Sequence, residues 1–131
     1  MKTKIVSIAQ PIIANGNTGN QEKDGIQKAP MIEIEAEFPG GFKAWKQFIE
    51  KNINADAPGE GTPPGNYQVI VRFIIDKFGN IADIVSETRH GYGMEEEVIR
   101  VLKKSPQWIP ANQNGRSVNA YRRQLVTFVV Y

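Results

Sequence analysis

The chain closes on fifteen residues, Ser117 to Tyr131, that read as one extended run. At about 3.3 Å per residue such a strand reaches on the order of 50 Å, whereas typical strands span about 17 to 20 Å. It is expected to outlast the hairpin strands that precede it and to expose unpaired backbone donors and acceptors. Folded proteins normally suppress such an edge. Two readings follow. Either Arg122, Arg123 and Gln124 act as polar guards, or the edge accepts another strand, with main-chain hydrogen bonds giving affinity and alternate side chains giving selectivity.

The residues before this run supply a scaffold for it. Tyr67 to Asp76 alternates, with Tyr67, Val69, Val71, Phe73 and Ile75 on one face and Gln68, Ile70, Arg72, Ile74 and Asp76 on the other, the period-two signature of a strand. The second face is mixed, so it is expected to be only partly covered. Asp76-Lys77-Phe78-Gly79-Asn80 is a tight hairpin loop with glycine where a positive φ is expected, and Ile81 to Thr88 returns as the partner strand.

Phe42 to Asn52 places Phe42, Trp45, Phe48 and Ile49 at three- and four-residue spacing, an amphipathic helix whose aromatic stripe is core. Lys46 and Glu50 can pair on its outer face. A second helix, Met94 to Lys104, buries Met94, Val98, Val101 and Leu102. Glutamates in its first turn and Lys103 and Lys104 in its last complement the helix dipole. Glu96 and Arg100 can pair at i, i+4. Trp108, between Pro106 and Pro110, is an anchor that closes one end of the core, and Asn114-Gly115 supplies a turn.

Met31 to Phe38 also alternates, Ile32, Ile34 and Ala36 against Glu33, Glu35 and Glu37, and would add a short extra strand at a sheet edge. Ala55 to Asn66, with Pro58, Pro63 and Pro64, is an irregular loop. Two helices on one face of a small, mainly antiparallel, three-stranded sheet define a two-layer α+β domain over 31–131. Residues 1–30 are expected to be a flexible polar leader or linker, since Ala14 to Pro30 holds little that could bury surface. The start, Met1-Lys2-Thr3-Lys4 before a partly apolar stretch, imitates a signal peptide, but Ser7, Gln10 and Pro11 interrupt it.

No catalytic equipment emerges. The absence of cysteine removes disulfide frameworks, thiolate metal sites and cysteine nucleophiles, without fixing the compartment. Sixteen basic and 14 acidic residues are spread along the chain for a net charge of +2, which excludes the broad positive field of a nucleic-acid binder. His90 is the lone histidine, set among glycines without a partner for acid–base or metal chemistry, and reads as a helix-entry residue. Asp76 and Asp83 lack the ligand spacing of a calcium loop. Gly91-x-Gly93 is too short for a dinucleotide fingerprint. The expectation is a non-enzyme with no cofactor and no metal.

Several motifs together resemble the C-terminal domain of TonB energy transducers, over about Glu35 to Tyr131. They are Phe38-Pro39-Gly40-Gly41 before a helix, Val71-x-Phe73-Ile74-Ile75-Asp76-Lys77-x-Gly79-x-Ile81 in the hairpin, and Gly91-Tyr92-Gly93-Met94-Glu95 at the second helix entry. Pro106-x-Trp108-x-Pro110-Ala111-x-Gln113-Asn114-Gly115-Arg116 and the ending Ala120-Tyr121-Arg122-x-Gln124-x-Val126-Thr127-Phe128 complete the set. The likeness is greatest to the version common in Bacteroidetes-type bacteria.

The resemblance implies a periplasmic domain, tethered by a proline-rich linker to an inner-membrane helix that works with a proton-driven motor complex. It further implies capture of the TonB box of an outer-membrane receptor, in support of active transport. In the family the box pairs with the last strand, here Val118 to Tyr131. The partner-binding residues it implies are Ala120, Tyr121, Arg122, Arg123, Gln124, Leu125, Val126 and Thr127. Their backbone would carry the pairing, and Tyr121, Arg123 and Leu125, or their alternate neighbours, would set selectivity, with the register open because a one-residue shift exchanges the faces. The alternative is an autonomous interaction domain whose strand pairs with a second copy as a homodimer. Ala55-Asp56-Ala57-Pro58 stands where the family commonly has a Tyr-Pro pair, so a receptor contact through that pair is not carried over. No counterpart of the anchor and spacer lies in these residues, which reads as either an excised domain or a soluble relative.

Overall fold

The computed structural model describes residues 3–13 and 34–131, with side chains from Val6 onward. Strands β1 (Thr3–Ile8) and β2 (Ile12–Ile13) come first, followed by helix α1 (Gly41–Asn52) and the hairpin β3 (Gly65–Ile75) and β4 (Ile81–Ser86). Helix α2 (Met94–Lys103), a small hairpin of β5 (Ala111–Gln113) and β6 (Arg116–Val118), and the final strand β7 (Ala120–Val130) complete the chain.

The α+β architecture matches the expectation, with a larger sheet. Strand order is β1-β7-β3-β4, with β2 lying beside β7 along the same edge as β1, which makes five strands, all in antiparallel pairs. Hydrophobic alternation dictates which face is covered. Val69, Val71, Phe73 and Ile75 of β3 and Val126 and Phe128 of β7 are buried. They form one cluster with Trp45 and Ile49 of α1 and Met94, Val98, Val101 and Leu102 of α2. Each such side chain contributes about 1.5–3 kcal/mol on burial. The opposite face of β3, Gln68, Ile70, Arg72 and Ile74, is exposed or half-buried, as the mixed composition predicts.

The final run is shorter than its sequence suggests and is not surplus to its sheet. Asn119 interrupts it, its side-chain oxygen accepting the Lys77 amide at 3.0 Å, and Ser117 and Val118 belong to the β5–β6 hairpin. What remains, β7, has 11 residues, the same number as β3, and the two pair over their whole length from Ala120↔Ile75 to Val130↔Gly65. Gly65 and Asn66, read as loop in sequence, extend β3 to that length. The expectation that the last strand outlasts both hairpin strands therefore fails against β3.

The extra strand also comes from elsewhere. Residues 34–38 form only isolated bridges, Ile34↔Asn112 and Glu37↔Ile109, because they face the β5 segment instead of the sheet edge. Ala36 and Phe38 are buried beneath them, whereas Ile34 is exposed. The edge itself is taken by β1 and β2, where the sequence reads as leader. Thr3↔Val130 to Ile8↔Val126 pair in β1, and Ile12↔Arg123 and Ile13↔Arg122 in β2. The tether expected over Ala14 to Pro30, and Met31 to Glu33, lie outside the described residues.

Aromatic packing closes the end of the core where Trp108 was expected to anchor it. The Trp108 ring meets Trp45 edge-on at 4.8 Å and Phe38 at 5.7 Å, and its indole N–H donates to the Ser105 hydroxyl at 3.1 Å. Backbone bonding ties that segment to the β3–β4 loop, since the Trp108 amide donates to the Gly79 carbonyl at 2.8 Å. Gly79 has φ 87°, and a Cβ there would strike the Trp108 carbonyl, so both conformation and close approach require glycine. Asn114 and Gly115, with φ 53° and 78°, form the two-residue turn of the β5–β6 hairpin.

Polar groups at α2 are used for stitching. Glu95 accepts hydrogen bonds from the His90 and Gly91 amides and the Thr88 hydroxyl. Burial alone would raise its pKa, but those donors outweigh it and hold the carboxyl below its ordinary value. The Arg100 partner is Glu97 at i, i+3, at 2.6 Å, where the sequence pairing pointed to Glu96. Glu97 is drawn in because it also accepts the Asn54 amide at 2.7 Å, while Arg100 donates to the Asn52 carbonyl at 2.8 Å, so the pair joins the end of α1 to α2. Burial works against the Glu97 carboxylate, yet Arg100 and the Asn54 amide keep its pKa low.

Candidate functional site

β7 lies inside the sheet, and its two edges are unlike. One edge is occupied without interruption by β3. The other holds β1 and β2, two short pieces separated by Ala9 to Pro11, where the Ala9 amide donates to the Leu125 carbonyl at 3.2 Å. The eight sequence-predicted residues are thus contiguous, and their outer edge faces this chain's own N-terminal segment. Thr127 pairs with Ser7, Val126 with Ile8, Arg123 with Ile12 and Arg122 with Ile13.

The pleat settles the faces that sequence left open. Ala120, Arg122, Gln124 and Val126 point to the helix side and are buried. Tyr121, Arg123, Leu125 and Thr127 stand on the open face, half-buried or exposed. On that face Arg123 lies directly opposite Arg72 of β3, a repulsive pair that Glu87 relieves. Glu87 accepts two hydrogen bonds from Arg123, at 2.9 and 3.1 Å, and lies 3.9 Å from Arg72.

Two polar side chains lie on the covered face of β7. Gln124 is fully buried. Its side-chain oxygen accepts the Trp45 indole N–H at 2.8 Å, and its amide nitrogen donates to the carbonyls of Ala9 at 2.6 Å and Leu125 at 2.9 Å. It thus spans helix, strand and edge segment at once. Arg122 is also buried, donating to Glu35 at 2.9 Å and to the Tyr121 carbonyl at 2.9 Å. A cavity of about 290 Å³ opens beside them, bounded by Gln10, Pro11 and Ile13 on one side and Phe42, Trp45 and Arg122 on the other.

Sequence reasoning placed Gln124 on the strand but missed its contact with the edge segment, and it missed Trp45, Glu35 and Ala9 altogether as parts of the site. A glutamine among the inward-facing residues of an otherwise apolar strand was the available signal, because a buried amide requires partners. His90 is apart from this edge. Its ring bonds the Gln68 carbonyl at 2.8 Å and meets Tyr67 edge-on, so it packs on β3. Among the described residues no cluster of three or more histidines or carboxylates could hold a metal ion, and no helix is long and apolar enough to cross a membrane. The edge can therefore offer main-chain pairing, two buried hydrogen-bonding side chains and an adjoining apolar cavity.

Comparison with known proteins places part of the chain in a family. Residues 68–130, from β3 to the end of β7, match the family described as Gram-negative bacterial TonB protein C-terminal. No curated protein and no solved structure matches the chain. Domains of this family are non-enzymatic interaction domains and are periplasmic in Gram-negative bacteria. The hairpin, the second helix and the closing strand, residues 68–130, are those of a TonB C-terminal domain.

Proposed function

We propose that this chain is the receptor-docking module of a TonB-type energy transducer. It takes up the TonB box of an outer-membrane receptor as an added strand along β7 and so supports active transport in the periplasm. Ala120 to Thr127 carry the pairing through their backbone, with the motor complex reached through an anchor beyond these residues. The observation that carries the reading is the outer edge of β7, which already accepts a separate, short segment of chain in antiparallel register. Strand addition draws its affinity from main-chain hydrogen bonds of this kind and its selectivity from the side chains that alternate beside them.

Titrating the isotope-labelled chain with a receptor box peptide tests the reading. Amide shifts centred on Ala120 to Thr127 are expected at saturation. Shifts confined to the helices, or none, overturn it. The homodimer alternative draws on the same edge, so self-association and peptide uptake would compete; sedimentation across a concentration series, with and without peptide, separates them.

A further inference from the structure

The edge that docking needs is already occupied from Arg122 to Val130 by this chain's own N-terminal segment. We propose that Thr3–Ile13 is a resident strand, a built-in ligand of the β7 edge, and that an extended peptide adds to β7 only by replacing it. This rests on the docking reading for the identity of the incoming peptide, but not for the closure itself.

Three observations carry the inference. First, the segment uses the groups an incoming strand would use. β1 and β2 pair with Val130 to Val126 and with Arg123 and Arg122, and the Ala9 amide reaches the Leu125 carbonyl. Second, it is lightly held. Ile8 is buried and Val6 is partly packed against the core, but Ile12 and Ile13 are 47% and 53% exposed, and a register shift interrupts the ladder between Thr3 and Ile5. β3, on the other edge, buries Val69, Val71, Phe73 and Ile75. Third, without the segment Gln124 would lose the shortest of its three hydrogen bonds, keeping the Leu125 carbonyl and the Trp45 indole. Its amide nitrogen is buried and donates to the Ala9 carbonyl, so departure of the segment favours another strand that presents a carbonyl at the same place. The partner chemistry follows. It is an extended peptide with apolar side chains where Val6 and Ile8 face the core and a carbonyl for Gln124.

The 131-residue chain tests this, because it contains no cysteine and Ser7 lies directly across from Thr127. Directly opposed positions on antiparallel strands fall within disulfide reach. In the double variant Ser7→Cys, Thr127→Cys, oxidation locks the resident strand and reduction frees it. The probe is a fluorescent synthetic peptide with the sequence of residues 3–13. Reduced protein is expected to bind it at least about tenfold more tightly than oxidised protein, since a closed edge lowers apparent affinity by the closed-to-open ratio. Ile8→Asp, which weakens the resident strand without a crosslink, is expected to bind it about tenfold more tightly than the parent chain. Equal binding by the oxidised and reduced forms overturns the inference. A second arm with a TonB-box peptide separates the two readings. If that peptide fails to bind the reduced lock and Ile8→Asp while the own-sequence probe responds to the lock, docking falls and the resident strand stands.

Discussion

Gln124 has no access to solvent, so each of its hydrogen bonds has to come from protein. Replacing it with leucine keeps the shape but leaves the Trp45 indole N–H and the Ala9 carbonyl without the partner they have now. Gln124→Leu is expected to cost about 1–3 kcal/mol, most of it the penalty of burying unpaired groups. Urea denaturation reads this directly, and an unchanged midpoint would refute it. Glu95 makes a different demand. Donors from the loop before α2 hold its carboxyl below the ordinary 4.5, against a burial effect that would raise it. A carboxyl lowered in the folded state contributes stability above its unfolded pKa, and loses that contribution as pH falls through the folded value. Acidification from neutrality to below pH 4.5 should therefore destabilise the chain. Glu95→Gln should be less stable at neutral pH but show a shallower acid dependence, which thermal melts across a pH series would check.

Between elements, the join of the β3–β4 loop to Trp108 is close. Gly79 combines a φ of 87° with a backbone so close to the Trp108 carbonyl that no side chain fits. A left-handed conformation alone costs a non-glycine residue roughly 1–2 kcal/mol, and the steric conflict adds to it. Gly79→Ala is expected to destabilise by about 2 kcal/mol or more, with loss of near-UV signal from the Trp45–Trp108 pair; a fold with unchanged stability would disprove the account. The hairpin, both helices and the Asn114-Gly115 turn were legible in sequence because each is specified locally, by a period, a cap or a turn residue. Partner choice was less legible. Arg100 meets Glu97 and not Glu96, since the end of α1, far along the chain, presents the Asn52 carbonyl and Asn54 amide on Glu97's side. The length of β7 was misjudged for a related reason. Asn119 breaks the run by bonding the Lys77 amide, a contact that no local pattern announces.

At the scale of the molecule, β1 and β7 pair although the other described elements lie between them in the sequence. Such a pairing closes a long loop and leaves no local mark beyond a few alternating apolar residues interrupted by Ser7, Gln10 and Pro11. That is why the segment reads as leader, and why the candidate strand was visible in sequence while the occupant of its edge was not. The pairing also predicts uneven stability. β3 and β7 share eleven residues of unbroken register and the largest part of the core, whereas β1 adds one buried side chain, Ile8, among those described, worth about 1.5–3 kcal/mol. Elements held by few buried contacts open without global unfolding. Native-state hydrogen exchange should therefore show the Ala9 amide, bonded to Leu125, opening at a free energy well below that of the Val69 to Ile75 amides. A core substitution such as Val101→Ala, which removes a fully buried side chain, should speed exchange in β3 by about the lost stability and leave Ala9 nearly unchanged. If Ala9 and β3 exchange together and respond alike to Val101→Ala, the N-terminal strand is an integral part of one cooperative sheet, and its separate opening is ruled out.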